Sequence, residues 1–143
     1  MPETIPPTPP SRNNALLLHP STVLIVDDNP QNVELLAAFL EGLPVNVVTA
    51  RDGVEALERI ERHRADLILL DVMMPRMSGL QVCRRLKSDP ATREIPILIV
   101  TALNETGDLD AARDAGCDDF VTKPVSRSEL LARVRWLLGP RAG

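Results

Sequence analysis

Aromatic residues are nearly missing from this chain, which has two Phe, one Trp and no Tyr in 143 residues. Its core must therefore be built from Leu, Ile, Val and Ala. No apolar stretch approaches the roughly 20 residues of a membrane span, so no membrane association is expected. The first residues lack a basic region followed by an apolar core and a small-residue cleavage site, so they do not read as a secretory signal. Cysteine is limited to Cys83 and Cys117, on different predicted elements. They read as two reduced, largely buried thiols, and a cytoplasmic location is the expectation. His19 and His63 have no partners at ligand spacing, so an imidazole metal site is not expected. No block of like charge stands out within a net charge of −4, which argues against direct nucleic-acid binding.

What is present suits one domain with a proper core. Residues 1–20 stand apart, because Pro2, Pro6, Pro7, Pro9, Pro10 and Pro20 punctuate a polar segment. That segment reads as a disordered or polyproline-like tail. The domain is expected over residues 21–139, with a short tail at 140–143. Within it apolar runs alternate with helical patterns. The strands are Thr22–Val26, Val45–Thr49, Leu67–Leu70, Ile97–Val100 and Phe120–Thr122. Asn29-Pro30 opens the first helix as cap and first helical residue, and Gly42 ends it. Asp52-Gly53 and Ser78-Gly79 open the next two. A fourth helix is expected over Glu105–Ala115, with a thin apolar stripe of Leu109, Ala112 and Ala115. Ser126-Arg127-Ser128-Glu129 forms a capping box for the fifth, which is expected to stop at Gly139-Pro140. Such alternation predicts right-handed crossovers and a parallel sheet covered on both faces.

Polar residues sit just past several of the strands. Asp27 and Asp28 follow the first, Asp71 the third, Thr101 the fourth and Lys123 the fifth. In open parallel sheets ligands bind beyond the carboxyl ends of the strands, where the strand order reverses. Three carboxylates, a hydroxyl and an ammonium would then share one small volume. Clustered carboxylates without His or Cys favour a hard cation, and Mg²⁺ suits a site with few protein oxygens. Mg²⁺ with Lys123 balances the three negative charges. A phosphoryl group could be clamped between metal, ammonium and hydroxyl, and a carboxylate can itself accept it as an acyl phosphate. The bland alternative is that Asp27, Asp28, Asp71 and Thr101 are turn and cap residues.

The segments Val23–Asp28, Leu69–Gly79, Val100-Thr101-Ala102 and Phe120–Pro124 together resemble the receiver domain of two-component response regulators. The resemblance covers about residues 21–139. It implies a flavodoxin-like, doubly wound α/β fold with a five-stranded parallel sheet in the order 2-1-3-4-5 and five helices. It implies a signalling switch rather than an enzyme, with Asp71 taking a phosphoryl group from a phosphohistidine on a sensor histidine kinase or histidine phosphotransfer protein. Asp28, Asp71 and the Met73 backbone carbonyl would ligate Mg²⁺, with Asp27 acting through water. Lys123 would neutralise the phosphoryl oxygens. Thr101 and Phe120 would switch together, and the Lys123–Pro124 bond would be cis. The readout would be the surface of the fourth helix, fifth strand and fifth helix, facing an output domain, a partner protein or a second copy in a homodimer. Met73 and Leu103 flank the phosphoryl position and are both apolar. A long-lived acyl phosphate is therefore expected, shortened by polar replacements at both positions. The stretch Val82–Pro96 looks like receivers attached to cyclic-dinucleotide synthases and in hybrid kinases.

Three further readings concern the chain's role. A Mg²⁺-dependent aspartyl-phosphate phosphatase would need a carboxylate two residues past the nucleophile, where this chain has Met73. A phosphorylation-independent interaction module of the same fold is the other rival. Trp136 falls about 200° from Val134 on the fifth helix, on its outer side. It reads either as an indole lying along its own helix or as part of an output or dimer contact.

Overall fold

A computed structural model describes the backbone of residues 21–102 and 106–142 and the side chains of 21–102 and 110–139. The Pro-rich segment 1–20, Leu103 and the Leu109 side chain lie outside the described residues.

Among the described residues five strands and five helices alternate. They are β1 (Ser21–Val26), α1 (Pro30–Leu40), β2 (Val45–Ala50), α2 (Gly53–Arg62), β3 (Leu67–Leu70), α3 (Gly79–Ser88), β4 (Ile97–Thr101), α4 (Thr106–Asp114), β5 (Asp119–Thr122) and α5 (Arg127–Ala142). The strands form one parallel sheet in the order β2-β1-β3-β4-β5. This is the expected doubly wound order. The chain steps outward from β1 to β2 and then returns past β1 to β3, so the order reverses between β1 and β3.

Side chains alternate across each strand and divide the core in two. Leu24, Val26, Ile68, Leu70, Ile97 and Ile99 face α2, α3 and α4, where Ala56, Val82, Cys83 and Leu86 meet them. Val23, Ile25, Leu67, Leu69, Leu98 and Val100 face α1 and α5, where Leu36, Leu40, Leu130 and Val134 close the other side. All four residues of β3 and all five of β4 are buried, which is why both read as unbroken apolar runs. The edge strand β2 is different. Asn46, Val47 and Thr49 are exposed, and among the described residues no further strand pairs outside β2. Cys83 donates to the Ala115 carbonyl at 3.3 Å, and burial pushes its thiol up to about 12. Burial also raises Cys117, and both thiols are free, as expected.

Local chemistry sets the helix starts. Asn29 accepts from the Gln31 and Asn32 N–H groups, with Pro30 at the first helical position. Asp52 caps α2 by accepting from Glu55 N–H at 2.9 Å. Ser78 and Gln81 form a full reciprocal box at α3, whereas Ser126 accepts from Glu129 N–H at 3.1 Å at the start of α5. One boundary needs correcting. The fifth helix does not stop at Gly139-Pro140 but runs on to Ala142. A proline in the last turn forfeits one backbone bond with no further turn depending on it, so it does not end the helix.

Candidate functional site

The strand register carries through to the polar residues that follow. Val26 lies beside Leu70, Leu70 beside Ile99, and Thr101 beside Thr122. The next residues keep the ladder going. Asp27 N–H donates to the Ala50 carbonyl at 3.1 Å, Asp71 N–H to Val26 at 2.9 Å and Lys123 N–H to Thr101 at 2.8 Å. The backbones that carry these side chains are therefore pinned by the sheet, which fixes them better than free loops would.

Asp27, Asp28 and Asp71 each offer a carboxylate oxygen within 4.8 Å of the others. Asp27 and Asp71 are buried and Asp28 is exposed. Asp27 uses one oxygen to accept from Asn29 N–H at 2.9 Å and the other to accept from Lys123 Nζ at 3.0 Å. Lys123 Nζ also lies 3.6 Å from Asp71, and the Lys123–Pro124 bond is cis. Thr101 is buried at the end of β4. Asp27, Asp28, Asp71, Thr101 and Lys123 thus meet at one end of the sheet, as the sequence led us to expect.

The electrostatics are unbalanced. Burial pushes the Asp71 carboxyl above its ordinary value; the Lys123 ammonium pulls it back, and the Asp27 charge adds to the rise. One ammonium faces three carboxylates, so the donor set fits a divalent cation through hard oxygen ligands. Asp28, Asp71 and Asp27 would hold it, and the open depression beside Asp28, Met73 and Met74 gives access from solvent.

The remaining expected residues lie around this centre. The Met73 side chain is exposed in the connection between β3 and α3. Phe120 is half-buried in the core facing α2 to α4, with the Arg113 guanidinium 5.8 Å from its ring centre. Trp136 is 69% exposed on α5, while Val134 is fully buried, which is the outward placement expected.

Gly79 was missed as part of the site. A Cβ there would lie 2.1 Å from the Asp71 carbonyl oxygen, and Gly79 N–H donates to the Val72 carbonyl at 3.0 Å. The first turn of α3 therefore rests directly on the Asp71 backbone. The available signal was a glycine at the first position of the helix that follows β3.

A family model described as the response regulator receiver domain matches residues 23–135. Across 115 residues the chain is 50% identical to response regulator PleD of Caulobacter vibrioides, covering 80% of this chain and 25% of that protein. Across 120 residues it is 38% identical to the polar-differentiation response regulator DivK of Brucella anthropi, covering 84% of this chain and 98% of DivK. Among solved structures it resembles the receiver domain of the sensor histidine kinase PA1611 from Pseudomonas aeruginosa, described with a magnesium ion coordinated in its active-site cleft. That likeness has a TM-score of 0.77 and 33% identity, over 83% of this chain and 98% of that one. The chain belongs to the receiver-domain family of two-component response regulators. Receiver domains are signalling domains. This chain spans only about a quarter of PleD's length.

Proposed function

We propose that this domain is a phosphorylation-activated switch whose acceptor is Asp71. The observation that carries the reading is the grouping of Asp71, Asp27 and Asp28 within 4.8 Å, with Lys123 Nζ 3.6 Å from Asp71. An Asp71 carboxylate oxygen attacks the phosphorus of a phosphohistidine on a sensor kinase or phosphotransfer protein. The P–N bond breaks, its electron pair stays on the imidazole, and an acyl phosphate forms on Asp71. Mg²⁺ held by Asp28, Asp71 and the Met73 carbonyl, with Asp27 assisting, would offset charge on the phosphoryl oxygens. Lys123 supplies the other positive charge and Thr101 a hydroxyl. Phe120, packed under Arg113, links that region to the α4–β5–α5 surface, which controls an output domain or partner in the cytoplasm. The exposed thioether at Met73 offers no acid or base for phosphatase turnover.

The test is incubation with Mg²⁺ and acetyl phosphate, followed by intact mass. One phosphoryl group per chain is expected, and none with Asp71→Asn. Labelling that survives this substitution, or no labelling of the parent protein, rejects the reading.

A further inference from the structure

The connection between β3 and α3, residues 71–79, carries two of the proposed metal ligands, and its base is closed by Gly79 N–H donating to the Val72 carbonyl at 3.0 Å. Two of its internal backbone bonds join residues only two apart, Met74 N–H to the Val72 carbonyl at 3.1 Å and Met77 N–H to Pro75 at 2.7 Å. Arg76 adopts φ of 67°, in the left-handed region, where a Cβ crowds the following carbonyl oxygen. Something outside the loop must hold it there.

The start of α2 meets this need twice. The Arg76 guanidinium donates to Asp52 Oδ2, while Asp52 Oδ1 accepts from Glu55 N–H at 2.9 Å. One carboxylate thus caps a helix and grips the loop. Asp52 is itself braced, since Glu55 accepts from Arg51 N–H at 2.7 Å. One residue along, Gly53 leaves room for a side chain from the loop. A Cβ on Gly53 would lie 2.8 Å from Met77 Cβ and 2.7 Å from Val82 Cγ2. Arg76 and Met77 therefore seat on the cap Asp52 and the first residue Gly53 of α2, one by charge and one by close packing.

We infer that Asp52 and Arg76 form a latch that fixes the β3–α3 connection against α2, and that Arg76 is thereby a positioning residue for divalent-cation binding beside Asp71. The inference rests on the function proposed above. Arg76 touches neither acceptor nor metal site, and acts by restricting where Met73 can go. Ligands held in place bind more tightly than ligands that must first be ordered.

The experiment titrates the full chain with Mg²⁺ by calorimetry and follows hydrogen exchange over residues 72–78 without metal. Arg76→Ala keeps the left-handed backbone cost but removes the guanidinium. Asp52→Asn keeps the cap acceptor but removes the charge. Each is expected to raise the Mg²⁺ dissociation constant about fivefold, the scale of one partly exposed ion pair. The double variant should do no worse than either single one, Arg76→Lys should recover part of the loss, and exchange in 72–78 should quicken. High salt should shrink the difference. Arg76→Gly relieves the backbone, so a loss of affinity there too assigns the effect to the side chain. Wild-type affinity and unchanged exchange in Arg76→Ala would overturn the latch. A parent protein that takes up no Mg²⁺ would instead reject the proposed function, and the exchange measurement alone would then decide the latch.

Discussion

At Asp71 two requirements of a single carboxylate conflict. As the proposed acceptor it must be sheltered enough to react, and shelter raises the cost of its charge. Burial, reinforced by Asp27, holds its proton affinity above that of an unfolded aspartate despite Lys123. The native state therefore binds this proton more tightly than the unfolded state, and stability from this group falls as pH rises through the ordinary carboxylate range. Asp71→Asn should accordingly raise the melting temperature of the metal-free protein near neutral pH. The gain should fade as pH falls below about 3, where the unfolded-state aspartate holds its proton as the native one does. Mg²⁺ should stabilise the parent protein more than the Asn variant. Thermal denaturation in chelator across that pH range checks the sign, and a variant less stable than the parent at neutral pH contradicts it. This residue was legible in the sequence because it breaks an apolar run at a strand end, as do Asp27, Thr101 and Lys123. Arg76 was not, because its partner is 24 residues away in another loop and no periodicity links the two.

Elements were legible where their pattern reports burial, and less so where it does not. The fully buried β3 and β4 read as plain apolar runs. The polar Asn46 and Thr49 in β2 were the trace of an edge strand. The end of α5 was misjudged because Gly139-Pro140 is taken into its last turn, with only two helical residues following. The start of α3 carries a constraint that no propensity scale contains. Gly79 lets the helix rest on the Asp71 backbone, where a Cβ would be 2.1 Å from a carbonyl oxygen that cannot swing aside. Gly79→Ala should therefore cost at least about 2 kcal/mol, a fall of about 8 °C in melting temperature for a domain of this size. It should also weaken Mg²⁺ binding, because the displaced atoms belong to a proposed ligand. Denaturation with a parallel Mg²⁺ titration measures both, and a variant with parental stability would show that α3 can shift freely.

For the whole molecule the question is how a change at one end of the sheet reaches a partner. Phe120 sits on β5 between the Lys123 end of that strand and α4, with Arg113 of α4 over its ring. Trp136 lies on the outside of α5, more exposed than any other large apolar residue described, with Met73 next. An indole left in water on a helix that otherwise buries Leu130, Leu131, Val134 and Leu137 is a natural anchor for a second surface. It is also the chain's only tryptophan, so its emission reports one position without ambiguity. Given acceptance of a phosphoryl group at Asp71, Trp136 fluorescence should change on treatment with Mg²⁺ and acetyl phosphate if the α5 surface gains a partner or a second copy. Trp136→Ala should leave phosphoryl uptake intact while weakening that association roughly tenfold or more, the scale for losing a buried aromatic anchor. Sedimentation of the phosphorylated parent and variant, read beside the emission spectra, separates the cases. Emission and association both indifferent to phosphorylation and to the substitution would leave Trp136 as an indole packed along its own helix, and the readout would have to run through α4 and β5 alone.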